Sequence, residues 1–158
     1  MLGILYSVYL NISENGVYFP DLITNLVAKQ SAAVLDTFGY SNFLVVDPID
    51  QGMLIAIDRK YIVNIVEGCN AISVIILFIA FIIAFAEKFK KTLLFLFVGY
   101  VLIYGVNIFR IVLLTVTLYK YPQYEKILHS VIFPAIIYGM VFILWMVWVR
   151  MLKPNKAQ

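Results

Sequence analysis

Residues 92–118 read TLLFLFVGYVLIYGVNIFRIVLLTVTL, a run in which Arg110 is the only charged residue. As a helix that rises 1.5 Å per residue, the run would be about 40 Å long, more than the ~30 Å hydrocarbon core of a bilayer. The whole chain of 158 residues has the same character, because 63% of its residues are hydrophobic and only 13% are charged. The run therefore predicts a transmembrane helix in an integral membrane protein.

Two other apolar runs, residues 71–86 with their flanks and residues 128–149, are also long enough to cross a bilayer. A shorter run, residues 1–12, would rise only about 18 Å, so it is either a half-span, a shortened first helix or the remainder of a longer start. No basic segment precedes it and no small-residue cleavage site follows it, which argues against a secretory signal. The predicted fold is an all-α multi-pass membrane protein: a bundle of three long transmembrane helices with a short N-terminal apolar helix.

Basic residues flank the spans on one side, where they predict the cytoplasmic face. They occupy the link between the first two long spans and the end of the last: Lys88, Lys90, Lys91, Arg150, Lys153 and Lys156. Residues 13–70 hold most of the acidic residues and are expected to face outward. We expect one membrane domain with an N-terminal apolar segment (1–12), an extracytoplasmic segment (13–70), a three-helix catalytic core (71–150) and a cytoplasmic tail (151–158). The chain has four crossing helices if residues 1–12 span, and three if they do not.

The outer segment contains one helix pattern and three strand patterns. Apolar residues spaced three and four apart predict an amphipathic helix over residues 21–38, which we expect to lie along the membrane surface. Residues 42–46, 53–57 and 61–66 are rich in Val, Ile and Leu and predict short strands, the last two joined in a hairpin at residues 58–60. This small β-ribbon would lead the chain to Cys69 at the start of the first long span.

Composition excludes several kinds of site. Cys69 is the single cysteine, so it has no partner for an internal disulfide, and an intermolecular bond, a buried bystander or a reactive thiol remain. His129 is the single histidine, which leaves too few ligands for a zinc site, and the chain predicts no cofactor. Basic residues are not interleaved with stacking aromatics, so we predict no nucleic-acid partner.

Three polar residues are predicted to lie at one depth. Cys69 begins the first long span at its outer end, and His129 opens the last span from the outside. Arg110 lies eighteen residues after Thr92, about 27 Å up a helix that begins on the inside. The three side chains therefore converge near the outer leaflet.

These residue types fit acyl transfer through a thiol. A thiolate is a nucleophile, and both a helix N-terminus and a nearby cation favour it at Cys69. His129 carries an imidazole, which exchanges protons near neutral pH, and the guanidinium of Arg110 is suited to an oxyanion. Asn107, three residues before Arg110, would orient it and bind substrate, and Glu67 would contact His129 or a substrate amine.

Each of the three residues also has a structural explanation. A free cysteine often only packs in a core, and a lone interfacial histidine often only donates a hydrogen bond. Arg110 near a helix end is long enough to reach lipid headgroups. The sequence therefore leaves open a non-catalytic membrane subunit that binds a partner or a lipid headgroup.

The motifs nevertheless resemble a known family. Glu67-Gly68-Cys69-Asn70 at the head of one span, Asn107-Ile108-Phe109-Arg110 late in the next and His129 opening the last are similar to the motif set of the exosortase/archaeosortase family. The short form with an amphipathic outer helix resembles its F-type branch from Bacteroidetes-like bacteria. The resemblance covers roughly residues 1–150.

The resemblance implies a multi-pass cysteine transpeptidase or protease of the inner membrane. Its substrates would be exported proteins whose C-terminal sorting signal contains a recognition motif, a hydrophobic helix and a basic tail. Cys69 would be the nucleophile, His129 the general acid and base, and Arg110 the stabiliser of the intermediate. The cleaved protein would pass to an amine acceptor or to water, and the outer ribbon would bind the motif as an extended strand.

Two departures from the family pattern have consequences. Many members have more spans before the catalytic cysteine, so a substrate groove formed by earlier helices is either missing here or supplied by a small partner subunit in the membrane. Many also have a small residue where this chain has Glu67, which leaves that residue without an assigned role.

Overall fold

The computed structural model describes residues 22–47, 49, 52–69, 71–86 and 88–152. The predicted segment 1–12, residues 13–21 and the tail from residue 153 lie outside the described residues. The helices are α1 (Leu22–Thr37), α2 (Ile72–Ala84), α3 (Phe89–Lys120) and α4 (Phe133–Leu152). The strands are β1 (Asn42–Asp47), β2 (Gly52–Ile57) and β3 (Lys60–Ile65).

Two helical stretches in the described part of the chain are long and apolar enough to cross a membrane. One is α3, with 32 residues, and the other is Pro122–Leu152, with 31 residues. The second consists of a 3₁₀ turn (Pro122–Tyr124), a short helix (Glu125–Ile127), a π-helical segment (Leu128–Ile132) and α4. The helical stretch that contains the last span thus begins before residue 128, where the sequence predicted that span to start.

The prediction of three long spans is wrong for the first of them. Helix α2 has 13 residues and is about 20 Å long. It begins after Ala71, whose φ of 61° is left-handed, and it ends where Phe85 leaves the helical region. The apolar run itself ends close to these points, at Asn70 on one side and at Glu87 on the other, so the helix is shorter than a span.

The predicted strands form one antiparallel sheet in the order β1-β2-β3. Ile57 pairs with Lys60, so the β2–β3 hairpin has a two-residue loop. Asp58 and Arg59 in that loop have φ of 50° and 65°. Positive φ at both central positions is the geometry of the tight turn that matches the twist of two paired strands.

Helix α1, the sheet and the outer part of α3 enclose a first hydrophobic core. Its members include Val27, Leu35, Ile55, Ile65, Ile111 and Leu118. A hydrogen bond from Tyr104 Oη to Gln30 Oε1, 2.7 Å long, also joins α3 to α1. The buried face of α1 therefore packs on the ribbon and α3, and the expected position of this helix along the membrane surface stays a prediction.

Helices α2, α3 and α4 enclose a second core toward the predicted cytoplasmic side. Phe78 of α2 lies so close to Gly99 that a Cβ on that glycine would come within 2.2 Å of its ring. Phe81 stacks on Trp145 with ring centroids 4.5 Å apart. A small residue at such a crossing allows two membrane helices to approach closely. Cys69 belongs to the first core and Ala71 to the second, so the chain around the thiol lies where the two cores meet.

Candidate active site

Cys69 lies at the end of a 3₁₀ turn, Glu67–Cys69, that connects β3 to α2. Its backbone N–H donates to Val66 O at 2.7 Å, and its side chain is buried, with 8% exposed. Helix α2 begins three residues later, and Ala71 makes no side-chain cap at its N-terminus.

Asn107 fixes the backbone of Cys69. It is fully buried in α3, and its Nδ2 donates a 2.8 Å hydrogen bond to Cys69 O. Its Oδ1 is also buried and has no hydrogen-bond partner among the described residues. We expected Asn107 to orient Arg110, whereas the hydrogen bond that the structure gives its side chain goes to the backbone of Cys69.

Arg110 lies nearly one turn further along α3 and is half-buried. Its Nε is buried and has no hydrogen-bond partner in the described part of the chain. The guanidinium carbon lies 5.9 Å from the centroid of the Phe133 ring, within the range of a cation–π contact. Phe133 thus holds the Arg110 cation beside the start of α4, and the Nε–H group of Arg110 remains available as a hydrogen-bond donor.

His129 lies in the π-helical segment Leu128–Ile132 and is exposed. A π-helical turn contains an extra residue relative to an α-helix, and such turns are frequent at functional sites. The sequence placed His129 at the start of the last span but did not predict the π segment. This local geometry sets the direction in which the histidine leaves the helix, one turn before Phe133.

Cys69, Arg110 and His129 line a single cleft of about 310 Å³. The structure therefore brings together the three residues that the sequence placed at one depth. Mostly apolar residues complete the walls: Val66, Gly68, Val74, Phe133, Pro134, Ile137 and Tyr138. Asn107 does not line the cleft and supports it from behind.

Sequence reasoning missed two wall residues, Phe133 and Tyr138. Phe133 gave no signal within an apolar run. Tyr138 carries a hydroxyl inside a predicted span, nine residues after His129, and that polarity could have drawn attention to it. Glu67 begins the 3₁₀ turn, and its role stays a prediction. In the described ranges, no three His, Cys, Asp or Glu residues are grouped closely enough to hold a metal ion.

Comparison with known proteins identifies the family. The family model described as transmembrane exosortase matches residues 5–151, nearly the whole chain. The chain belongs to the transmembrane exosortase family. This exosortase is therefore a membrane protein, and its family implies in general a cysteine transpeptidase or peptidase that takes part in protein sorting. No curated protein and no solved structure shows significant similarity to it.

Proposed function

We propose that this exosortase is a cysteine transpeptidase of the F-type branch that cleaves C-terminal sorting signals of exported proteins at the outer face of the inner membrane. The observation that supports this function most directly is the single cleft lined by the only thiol, the only imidazole and a membrane-embedded guanidinium. Each of these groups has a place in thiol acyl transfer. Its partners are the sorted proteins, the lipid bilayer and a small membrane subunit.

In the first step, His129 takes the proton of Cys69 and the sulfur attacks the scissile carbonyl carbon. The carbonyl oxygen becomes an oxyanion, which the guanidinium of Arg110 stabilises by charge and hydrogen bonding. When this intermediate collapses, the C–N bond breaks and His129 returns the proton to the leaving amine. The exported protein is then held to Cys69 as a thioester.

In the second step, an acceptor amine attacks the thioester carbonyl. His129 takes the amine's proton, Arg110 again stabilises the oxyanion, and the C–S bond breaks to release the transferred product. Water in place of the amine would give hydrolysis by the same groups.

The inner ends of two helices give a common reference for depth. Lys91 Nζ of α3 donates a 2.5 Å hydrogen bond to Met151 O of α4. Arg110 is nineteen residues from Lys91, about 29 Å along the helix, and His129 is twenty-two residues from Met151, about 33 Å. Both distances match the ~30 Å hydrocarbon core, so both residues fall near its outer boundary.

A sorting signal would reach the cleft from the membrane. Because its hydrophobic part is itself a membrane helix, the peptide bond just outside that helix lies near the same boundary as Arg110 and His129. The basic ends of the helices are expected on the cytoplasmic side, so this boundary is the extracytoplasmic one.

The proposal is tested with a co-expressed exported reporter that ends in a sorting signal from the same genome. We expect Cys69→Ala and His129→Ala to abolish processing while the enzyme still inserts in the membrane. Thr115→Val is the control, because Thr115 is a buried polar residue of α3 that does not line the cleft and bonds Ile111 O of its own helix. Normal processing by the Cys69→Ala variant would overturn the assignment.

The mass of the reporter's new C-terminus separates transfer from hydrolysis. An added acceptor group on the cleaved protein supports the transpeptidase. A free carboxylate on every product molecule would instead identify a membrane protease that uses the same residues.

The burial of Cys69 favours a second candidate, a non-catalytic subunit in which the thiol only packs. Labelling of the membrane-embedded enzyme with a thiol-reactive electrophile across a pH series distinguishes the two. An enzyme should show rapid labelling that depends on His129 and Arg110. A packing cysteine should react slowly, and equally slowly in the His129→Ala variant.

A further inference from the structure

Strand β3 forms one edge of the outer sheet. Among the described residues the sheet has three strands, so one side of β3 pairs with β2 and its other side pairs with no strand. Such an edge presents backbone N–H and C=O groups to any extended chain that approaches it. The position of this edge relative to Cys69 indicates which extended chain would bind to it.

A second cleft, of about 280 Å³, lies along this edge. Three consecutive residues of β3, Lys60, Tyr61 and Ile62, line it on one side, and Tyr119 and Glu125 line it on the other. Successive side chains of a strand point to opposite faces of a sheet. A cleft that touches three consecutive residues therefore borders the edge of the strand rather than one of its faces.

The two clefts lie near the two ends of β3. The chain just after β3, at Val66 and Gly68, lines the cleft that contains Cys69. From Ile62 to Val66 an extended chain rises about 13 Å. Along α3, Leu118 at the second cleft and Arg110 at the first are eight residues apart, or about 12 Å. The two estimates agree, so an extended segment of about this length would reach from one cleft to the other.

We propose that the substrate segment that precedes the scissile bond binds to this edge of β3 as an added parallel strand. This inference rests on the proposed function, because it names how that site recognises its substrate. The substrate continues after the scissile bond into a membrane helix, so its preceding segment arrives from outside. It then runs in the same direction as β3, from Lys60 toward Cys69.

The added strand would contain about five residues before the scissile carbonyl. Backbone pairing supplies most of the binding, and residues that favour extended structure, such as Val, Ile and Thr, are preferred in the segment. The outermost side chain enters the second cleft, where Lys60 and Glu125 offer charges of both signs. That side chain is expected to be polar.

A proline scan of the reporter tests the pairing. A strand in a parallel ladder bonds its neighbour through every second residue, and proline lacks the N–H that such a bond needs. Proline at alternate positions before the scissile bond should lower processing about tenfold, and proline at the positions between them less than about threefold. Alanine at the same positions is the control for side-chain effects. A scan without this two-residue period would overturn the proposal.

Photo-cross-linking tests the location. In the Cys69→Ala enzyme, a photoreactive phenylalanine analogue at Tyr61 should cross-link to the substrate segment before the scissile bond. The control is Phe43 on β1, an exposed aromatic residue on the opposite edge of the same sheet. Equal cross-linking from Phe43, or cross-linking from Tyr61 only to the substrate's membrane helix, would contradict the proposal. Failure of the proposed function is seen separately, because the unsubstituted enzyme would then leave the unmodified reporter uncleaved.

Discussion

The hydrogen bond from Asn107 to the carbonyl of Cys69 predicts that a residue outside the cleft controls its activity. In Asn107→Leu the side chain keeps a similar volume but loses the donor, which leaves Cys69 O without this 2.8 Å bond. An unpaired buried carbonyl costs about 1–3 kcal/mol. The substitution also removes the unpartnered Oδ1, which offsets part of that cost. We expect the free energy of unfolding to fall by about 1 kcal/mol.

The effect on the reaction should be larger than the effect on stability. The bond links α3 to the 3₁₀ turn that ends at Cys69, and its loss lets the sulfur move relative to Arg110 and His129. A displacement of about 1 Å at a reacting atom reduces a rate by roughly 100-fold. The rate of reporter processing by Asn107→Leu should therefore fall about 100-fold, while the amount of enzyme in the membrane changes little.

Thr115→Val is the matched control for this change. Thr115 is also fully buried in α3 and donates a 2.8 Å hydrogen bond to a carbonyl, that of Ile111. This carbonyl keeps its ordinary helical N–H partner, so the substitution leaves no unpaired group. Processing should stay within about twofold of the unsubstituted enzyme. Equal processing rates for the two variants, measured at matched membrane levels, would refute the positioning role of Asn107.

Three further predictions concern other residues. Gly99→Ala should lower the free energy of unfolding by about 1–3 kcal/mol, because the new Cβ would overlap the ring of Phe78. Gly105→Ala is the control and should leave it unchanged, because nothing lies within 4 Å of a Cβ there. Thermal unfolding in detergent measures both. Arg110→Lys should reduce the rate of reporter processing about 100-fold without loss of stability, because lysine keeps the charge but lacks the planar set of donors. A processing rate near normal would contradict oxyanion binding by Arg110. The Asp58→Ala and Tyr119→Phe substitutions should have non-additive effects on the free energy of unfolding in a double-mutant cycle, because Tyr119 Oη donates to Asp58 Oδ2 at 2.5 Å. Additive effects would show that the bond contributes nothing.

Local patterns predicted much of the secondary structure. The strand patterns match β1, β2 and β3 to within two residues at each end, and the helix pattern over residues 21–38 matches α1. These elements were predictable because the spacing of apolar residues that indicates a strand or a helix involves only residues that are close in sequence. The protein surface on which α1 packs was not, because the same apolar face suits either lipid or a protein core.

The candidate site was predictable in its residues and not in its geometry. Cys69 and His129 stood out as rare polar residues at the edge of an apolar run, and Arg110 as the only charge inside one. Rise per residue alone gave their common depth. The sequence did not predict the ring of Phe133 below Arg110 or the π-helical turn that carries His129. Both depend on how α3 and α4 pack against each other.

The sequence by itself determined that this chain belongs in a membrane, which ends of its spans carry charge, and which three side chains share a level. Hydrophobicity and helical rise are sums over neighbouring residues, so they can be read along the chain. Only the tertiary structure decided that α1 packs on the sheet and that Asn107 bonds Cys69 from 38 positions away. These features result from contacts between distant segments, whose free energies depend on packing that no local pattern contains.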